Sequence, residues 1–136
     1  MKKILSALMF AVCILSVNFC LADPYENNPN YLYIGAGNGG MWYFKKSSLD
    51  VQEYNPPHYQ IAGHFIHYGG MDGKTLRNIY KTLRYNWYTK ETFSLQNGYW
   101  EKDKVRDNLD SQPVRQNRQF ADALFRAAYG MDFYGY

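Results

Sequence analysis

The dipeptide Asn97-Gly98, set between the runs Thr92–Gln96 and Tyr99–Val105, constrains the fold more than any other feature of this chain. A two-residue turn that lays one strand beside the next needs positive backbone angles at both central positions, and Asn and Gly adopt them at least cost. An antiparallel hairpin is therefore expected here. A second turn of the same kind, Gly37-Asn38-Gly39-Gly40, separates Tyr31–Ala36 from Met41–Lys45, which both have strand character.

Between the two hairpins, His58–Tyr68 reads as a strand with Tyr59, Ile61 and Phe65 on one face and Ala62, Ile66 and Tyr68 on the other. Both faces should be at least partly covered. Lys46–Pro57 reads as a long connection closed by Pro56-Pro57, which excludes a central strand there. The next segment supports two periods. Leu76, Ile79, Tyr80, Leu83 and Trp87 fit a helix, whereas Ile79, Leu83, Tyr85 and Trp87 alternate as in a strand. The aromatic run Tyr85-Asn86-Trp87-Tyr88 favours a strand over about Ile79–Tyr88.

Beyond the charged connector Arg106–Ser111, Pro113 suits a first helical turn. Phe120, Leu124 and Ala127 with Ala121, Phe125 and Ala128 form one broad apolar stripe, and Gly130 ends it. The expectation is an α+β fold: a single antiparallel meander sheet of about five or six strands, with a C-terminal α-helix packed on one face. The aromatic tail Met131–Tyr136 should be pinned down.

The N-terminus carries different information. Lys2 and Lys3 precede an apolar run from Ile4 to Leu21 that ends in Cys20-Leu21-Ala22 before Asp23, the pattern of a secretory signal with its cleavage site. The expected organisation is a cleaved signal at 1–22, a flexible leader at 23–30 and one domain at 31–136. Removing the first 22 of 136 residues leaves 114. Cys13 and Cys20 leave with the signal, so the mature chain has no disulfide, thiolate metal site or cysteine nucleophile. An exported protein of the periplasm, cell surface or medium is expected.

Without Lys2 and Lys3 the fifteen basic side chains become thirteen against twelve acidic ones, which gives no electrostatic case for nucleic acid. All 14 tyrosines fall in the mature part, with Trp42, Trp87 and Trp100. Such density suits half-buried sheet faces, or a stacking surface for a sugar or protein partner.

Gly35-Ala36-Gly37-Asn38-Gly39-Gly40 satisfies the G-x-G-x-x-G pattern, but a strand follows it instead of a helix, so it reads as a hairpin and no cofactor is expected. His64 and His67 have an odd separation, which puts them on opposite strand faces, and His58 lies about 20 Å from His64 along the strand, so no shared metal is expected. Glu101 and Asp103 share a face of the last strand near Tyr99 and Trp100. They read either as a carboxylate pair for glycoside cleavage or, since Lys102 and Lys104 alternate with them, as a solvated edge.

The aromatic strand at Tyr85-Asn86-Trp87-Tyr88, the Asn97-Gly98-Tyr99-Trp100 hairpin and the ending Phe120-Ala121-Asp122-Ala123-Leu124-Phe125 resemble small exported proteins of the surface-adhesin E-like type, over roughly Tyr31–Tyr129. The resemblance implies a noncatalytic role at the cell envelope or surface, with adhesion to host or matrix proteins. The leading expectation is thus an adhesin-like binding or envelope module that contacts an extracellular protein or a glycan through Tyr85, Trp87, Tyr99 and Trp100. The alternative is a small secreted hydrolase using Glu101 and Asp103, and a third reading is a structural envelope subunit with all its aromatics buried.

Overall fold

The computed structural model describes residues 23–37, 39–69, 74–105 and 111–135, with backbone alone at 75 and 76. The expected signal Met1–Ala22, including Lys2, Lys3, Cys13 and Cys20, lies outside them. So do Asn38, Gly70–Gly73, Arg106–Asp110, Tyr136 and the side chain of Leu76.

Among the described residues, seven strands and one long helix follow each other: β1 (Tyr31–Gly37), β2 (Gly40–Lys45), β3 (Asp50–Asn55), β4 (His58–Gly69), β5 (Lys74–Asn86), β6 (Glu91–Gln96), β7 (Tyr99–Lys102) and α1 (Gln112–Tyr129). All belong to one antiparallel sheet in the order β1-β2-β4-β5-β6-β7, with β3 also paired to β4. The fold is α+β, an open meander backed by a C-terminal helix. At 74–86, strand alternation prevails over the helical period, and the strand begins earlier than its side chains suggest.

The expected long connection at Lys46–Pro57 is corrected. Its second half is β3, which pairs with His58–Ala62 of β4, while β2 pairs with Phe65–Tyr68 on the same edge. β2 and β3 therefore run in one direction and share a single position of the sheet, interrupted by a 3-10 turn at Lys46–Ser48. At the break a side chain replaces a ladder bond. Ser48 Oγ accepts from the His64 amide at 2.8 Å and donates to the Lys45 carbonyl at 2.6 Å. Pro56-Pro57 forms the turn from β3 into β4, consistent with β3 lying off the sheet's centre.

The Asn97-Gly98 turn has φ of 51° and 83°, as its hairpin geometry requires. It sets Gln96 opposite Tyr99 and Leu95 opposite Trp100. One face of the sheet, here the helix face, carries Trp42, Phe44, Ile61, Phe65, Leu83 and Tyr85 into a core with Phe120, Ala121, Leu124 and Phe125 of α1. The helix approaches closely at Gly63, where an added Cβ would stand 2.5 Å from Phe44 Cε2 and 3.3 Å from Leu124 Cδ2. Truncating Phe120 or Leu124 there costs about 2–5 kcal/mol.

Gly130 ends α1 in the left-handed region at φ 75°, its N–H bonding the Arg126 carbonyl. The tail then folds back. Phe133 is fully buried, the Tyr134 amide donates to Asp122 Oδ1 at 2.9 Å, and Lys90 Nζ donates to the Phe133 carbonyl at 2.7 Å. Burial pushes the Asp122 carboxyl upward, and the backbone N–H bonds it accepts only partly offset this.

The flexible leader expected at 23–30 is also corrected. Tyr25 packs against the rings of Tyr31, Tyr43 and Tyr68 at 4.8–5.5 Å, on the face opposite the helix. Asp23 accepts hydrogen bonds from the Tyr25 amide and the Tyr43 hydroxyl. Burial, and then this carboxylate, push the Tyr43 hydroxyl well above the usual tyrosine range. This segment is thus seated on the sheet, because aromatic area is available there to cover.

Candidate functional site

Strand alternation sends every second side chain of the sheet away from the helix, onto what is here the far face. There, pairing aligns Glu53 of β3 with Gln60 of β4, Gln60 with Arg84 of β5, and Arg84 with Phe93 of β6. Side chains link this row across strands. Gln60 Nε2 donates to Gln52 Oε1 at 2.6 Å, Gln52 Nε2 donates to Asp50 Oδ2 at 2.8 Å, and Arg84 Nε donates to Gln60 Oε1 at 2.8 Å. So held, the Arg84 guanidinium lies 3.9 Å from the centre of the Trp100 ring, a cation–π contact.

Beside this row opens a shallow depression of about 290 Å³ lined by Glu53, His58, Tyr59, Arg84, Tyr85, Asn86, Glu91 and Phe93. Glu91 receives hydrogen bonds from Lys102 Nζ and Thr89 Oγ1, which set the orientation of its carboxylate. The Lys102–Glu91 pair is exposed and contributes little to stability. Further along the same face, His64 bonds Asn78 at 3.1 Å and its ring lies 4.9 Å from that of Tyr80, which is half exposed. Planar amides, a guanidinium, three carboxylates and aromatic rings thus meet on one open surface. That combination suits a ligand rich in hydroxyl and amide groups.

The structure divides the four aromatic contacts expected from sequence. Tyr85 is a correction: it is 2% exposed and its hydroxyl donates to the Ala121 carbonyl at 3.0 Å, so it belongs to the core. Its position on the strand aims it at α1. Trp87 is half-buried, stacked on Phe125 at 5.4 Å with Lys90 Nζ 3.1 Å from its ring centre, so its ring is engaged within the fold. Tyr99 is 76% exposed at the turn. Trp100 alone joins the far-face row. Glu53, Gln60, Arg84, Asn86, Glu91 and Phe93 were not singled out from sequence, and His58 was considered there only as a metal ligand; the two-residue turn, followed strand by strand, is the signal that aligns Trp100 with them.

Glu101 and Asp103 both line a cavity of about 410 Å³ near the start of α1, together with Gln96, Lys102, Lys104, Ser111, Pro113, Val114 and Asn117. No aromatic side chain stands among these lining residues, and Trp100 faces the opposite side of the sheet. The aromatic platform expected beside the pair is therefore not assembled. β7 ends at Lys102, and Asp103 turns inward, 7% exposed, to accept a 2.7 Å hydrogen bond from Ser94 Oγ.

The G-x-G-x-x-G segment lies in the β1–β2 hairpin. His67 is buried, stacked on Trp42 at 4.5 Å, and its Nε2 donates to the Gly37 carbonyl at 2.8 Å. Among the described residues, no three His, Cys, Asp or Glu side chains gather as a metal site, and no helix is long and apolar enough to cross a membrane. Compared with known proteins, the chain matches no family model, no curated protein and no solved structure.

Proposed function

We propose that this chain is a noncatalytic binding module, exported to the cell envelope or surface, that takes a glycan on the far face of its sheet. The observation that carries the reading is the Gln60–Arg84–Trp100 row beside the depression lined by Glu53, His58, Asn86 and Glu91. A sugar offers axial C–H groups to an aromatic ring and paired hydroxyls to planar amide, carboxylate and guanidinium groups. This surface carries both kinds of group, the Trp100 ring and the amide, carboxylate and guanidinium groups around it. Export rests on the Lys2-Lys3 and Ile4–Leu21 pattern with Asp23 as the first mature residue.

The test is glycan-array screening of the exported protein, followed by calorimetry on the best ligand. Trp100→Ala should weaken binding by roughly 1–3 kcal/mol, as for a stacking residue at the centre of a contact. Arg84→Ala should also weaken it, since the guanidinium is then absent from the row. Unchanged affinity in a folded Trp100→Ala/Arg84→Ala double variant refutes the site. N-terminal sequencing of the exported protein should begin at Asp23.

A further inference from the structure

A second site, on the other face of the sheet and independent of the first, lies where the opening turns of α1 cross the end of β1. Gly35 and Gly37 make a floor with no side chains, and glutamines of the helix come down onto it. A Cβ at Gly35 would stand 2.6 Å from Gln119 Nε2, and one at Gly37 would stand 2.9 Å from Gln112 Nε2. Neither glycine has positive φ, so space is what excludes a side chain here. Between helix and strand remains a cavity of about 150 Å³ lined by Ala36, Gly37, Gln112, Arg115, Gln116 and Gln119.

The polar groups around this cavity are unbalanced in one direction. Gln116 Nε2 is buried and has no hydrogen-bond partner. An unpaired buried donor forfeits its hydrogen bond to water without replacement, so a group that accepts from it is favoured there. Arg115 is the charged lining residue, and among the described residues no acidic side chain lines the cavity or stands in the first turn of α1. The helix dipole adds partial positive charge at the same end. Beneath the floor, the Gly37 carbonyl already accepts from His67 Nε2.

We infer that this cavity binds a carboxylate, with Arg115 supplying the charge, Gln116 Nε2 the buried donor, and Gln112 and Gln119 the walls. The volume holds a carboxylate with a few attached atoms, so the natural ligand presents it as a terminal group: a uronic acid at the end of a glycan, or the C-terminus of a peptide. The chemistry is shared, and the probes below separate the two sources.

The experiment is an amide-correlation NMR titration of the exported protein with sodium acetate, sodium glucuronate, N-acetyl-alanyl-alanine and, as the neutral control, methyl glucoside, at constant ionic strength. Saturable shifts are expected at Gly35–Gly37 and at the side-chain amides of Gln112, Gln116 and Gln119. Arg115→Gln should weaken acetate binding about tenfold, in line with the loss of one charge-assisted hydrogen bond. Gln116→Leu, nearly the same size without the donor, should weaken it as well and provides a second variant should Arg115→Gln fold poorly. Tighter binding of glucuronate than of the dipeptide identifies an acidic sugar, and the reverse identifies a peptide terminus. Equal shifts with methyl glucoside, unsaturable shifts spread over the surface, or undiminished affinity in either folded variant overturns the site. Trp100→Ala leaves these shifts intact, so failure here and failure of the far-face site are read separately.

Discussion

Replacing Phe125 by alanine is the sharpest perturbation of this fold. The ring is 2% exposed and lies 4.8–5.4 Å from the rings of Tyr59, Tyr85, Trp87, Tyr129 and Phe133, so it joins the helix, two strands and the folded-back tail. Phe→Ala in a packed core costs about 3–5 kcal/mol, and this site is at the upper end because five rigid rings cannot collapse into one void. Unfolding entropy near 2.1 cal/mol/K per residue, over about 110 residues, gives about 0.23 kcal/mol/K. The expected fall in Tm is therefore about 13–22 °C, read by far-UV circular dichroism with the aromatic near-UV signal as a second probe. Met131→Ala, at a position 52% exposed, is the control and should stay within about 2 °C. A Phe125→Ala shift below about 5 °C would refute the claim that the helix and tail close over the sheet through this ring.

Gly63→Ala forces a methyl against Phe44 and Leu124 and should cost about 1–3 kcal/mol in urea unfolding; no change would mean that the helix does not approach so closely. Gly98→Ala meets no neighbour within 4 Å and so isolates the backbone effect of φ 83°, about 1 kcal/mol by the same assay. The folded-state pKa of Asp122 is raised above its unfolded value, so its contribution is most favourable below the unfolded pKa and is lost as pH rises through the folded one. Stability of the unaltered protein relative to Asp122→Asn should accordingly rise between pH 7 and pH 4, and a flat or inverted difference refutes the burial of that carboxylate. Ser48→Ala removes the hydroxyl that bonds both the His64 amide and the Lys45 carbonyl, and should cost about 1–3 kcal/mol by thermal unfolding.

The parts of the fold legible in the sequence are those in which local chemistry and burial agree. Asn97-Gly98 specifies its hairpin through backbone angles, and the stripe Phe120–Ala128 specifies the helix because one face meets the core. β3 was illegible for the opposite reason. All six of its residues are exposed, so Asp50–Asn55 shows no apolar period, and only pairing with β4 makes it a strand. The leader is polar and proline-rich, and nothing local shows that Tyr25 finds three rings elsewhere in the chain. The same limit applied to function. Tyr85 and Trp100 are equally aromatic in sequence, and only alternation relative to the helix separates a core ring from a surface one. The far-face row draws on β3, β4, β5, β6 and β7, and its residues come together only once the register is known.

The shared position of β2 and β3 makes a fault line across one strand of the sheet, closed by a single hydroxyl. To one side lie the seated leader and the glycine floor under the glutamines; to the other lie Arg84, Trp100 and their depression. Twist need not be transmitted along β2–β3 through this dislocation, so the two panels are bound to each other chiefly by the unbroken β4 and β5. Extra residues introduced between Lys46 and Ser47, both exposed, would leave the Lys46 amide on the Asn30 carbonyl and be absorbed in the fault without shifting the register of either panel.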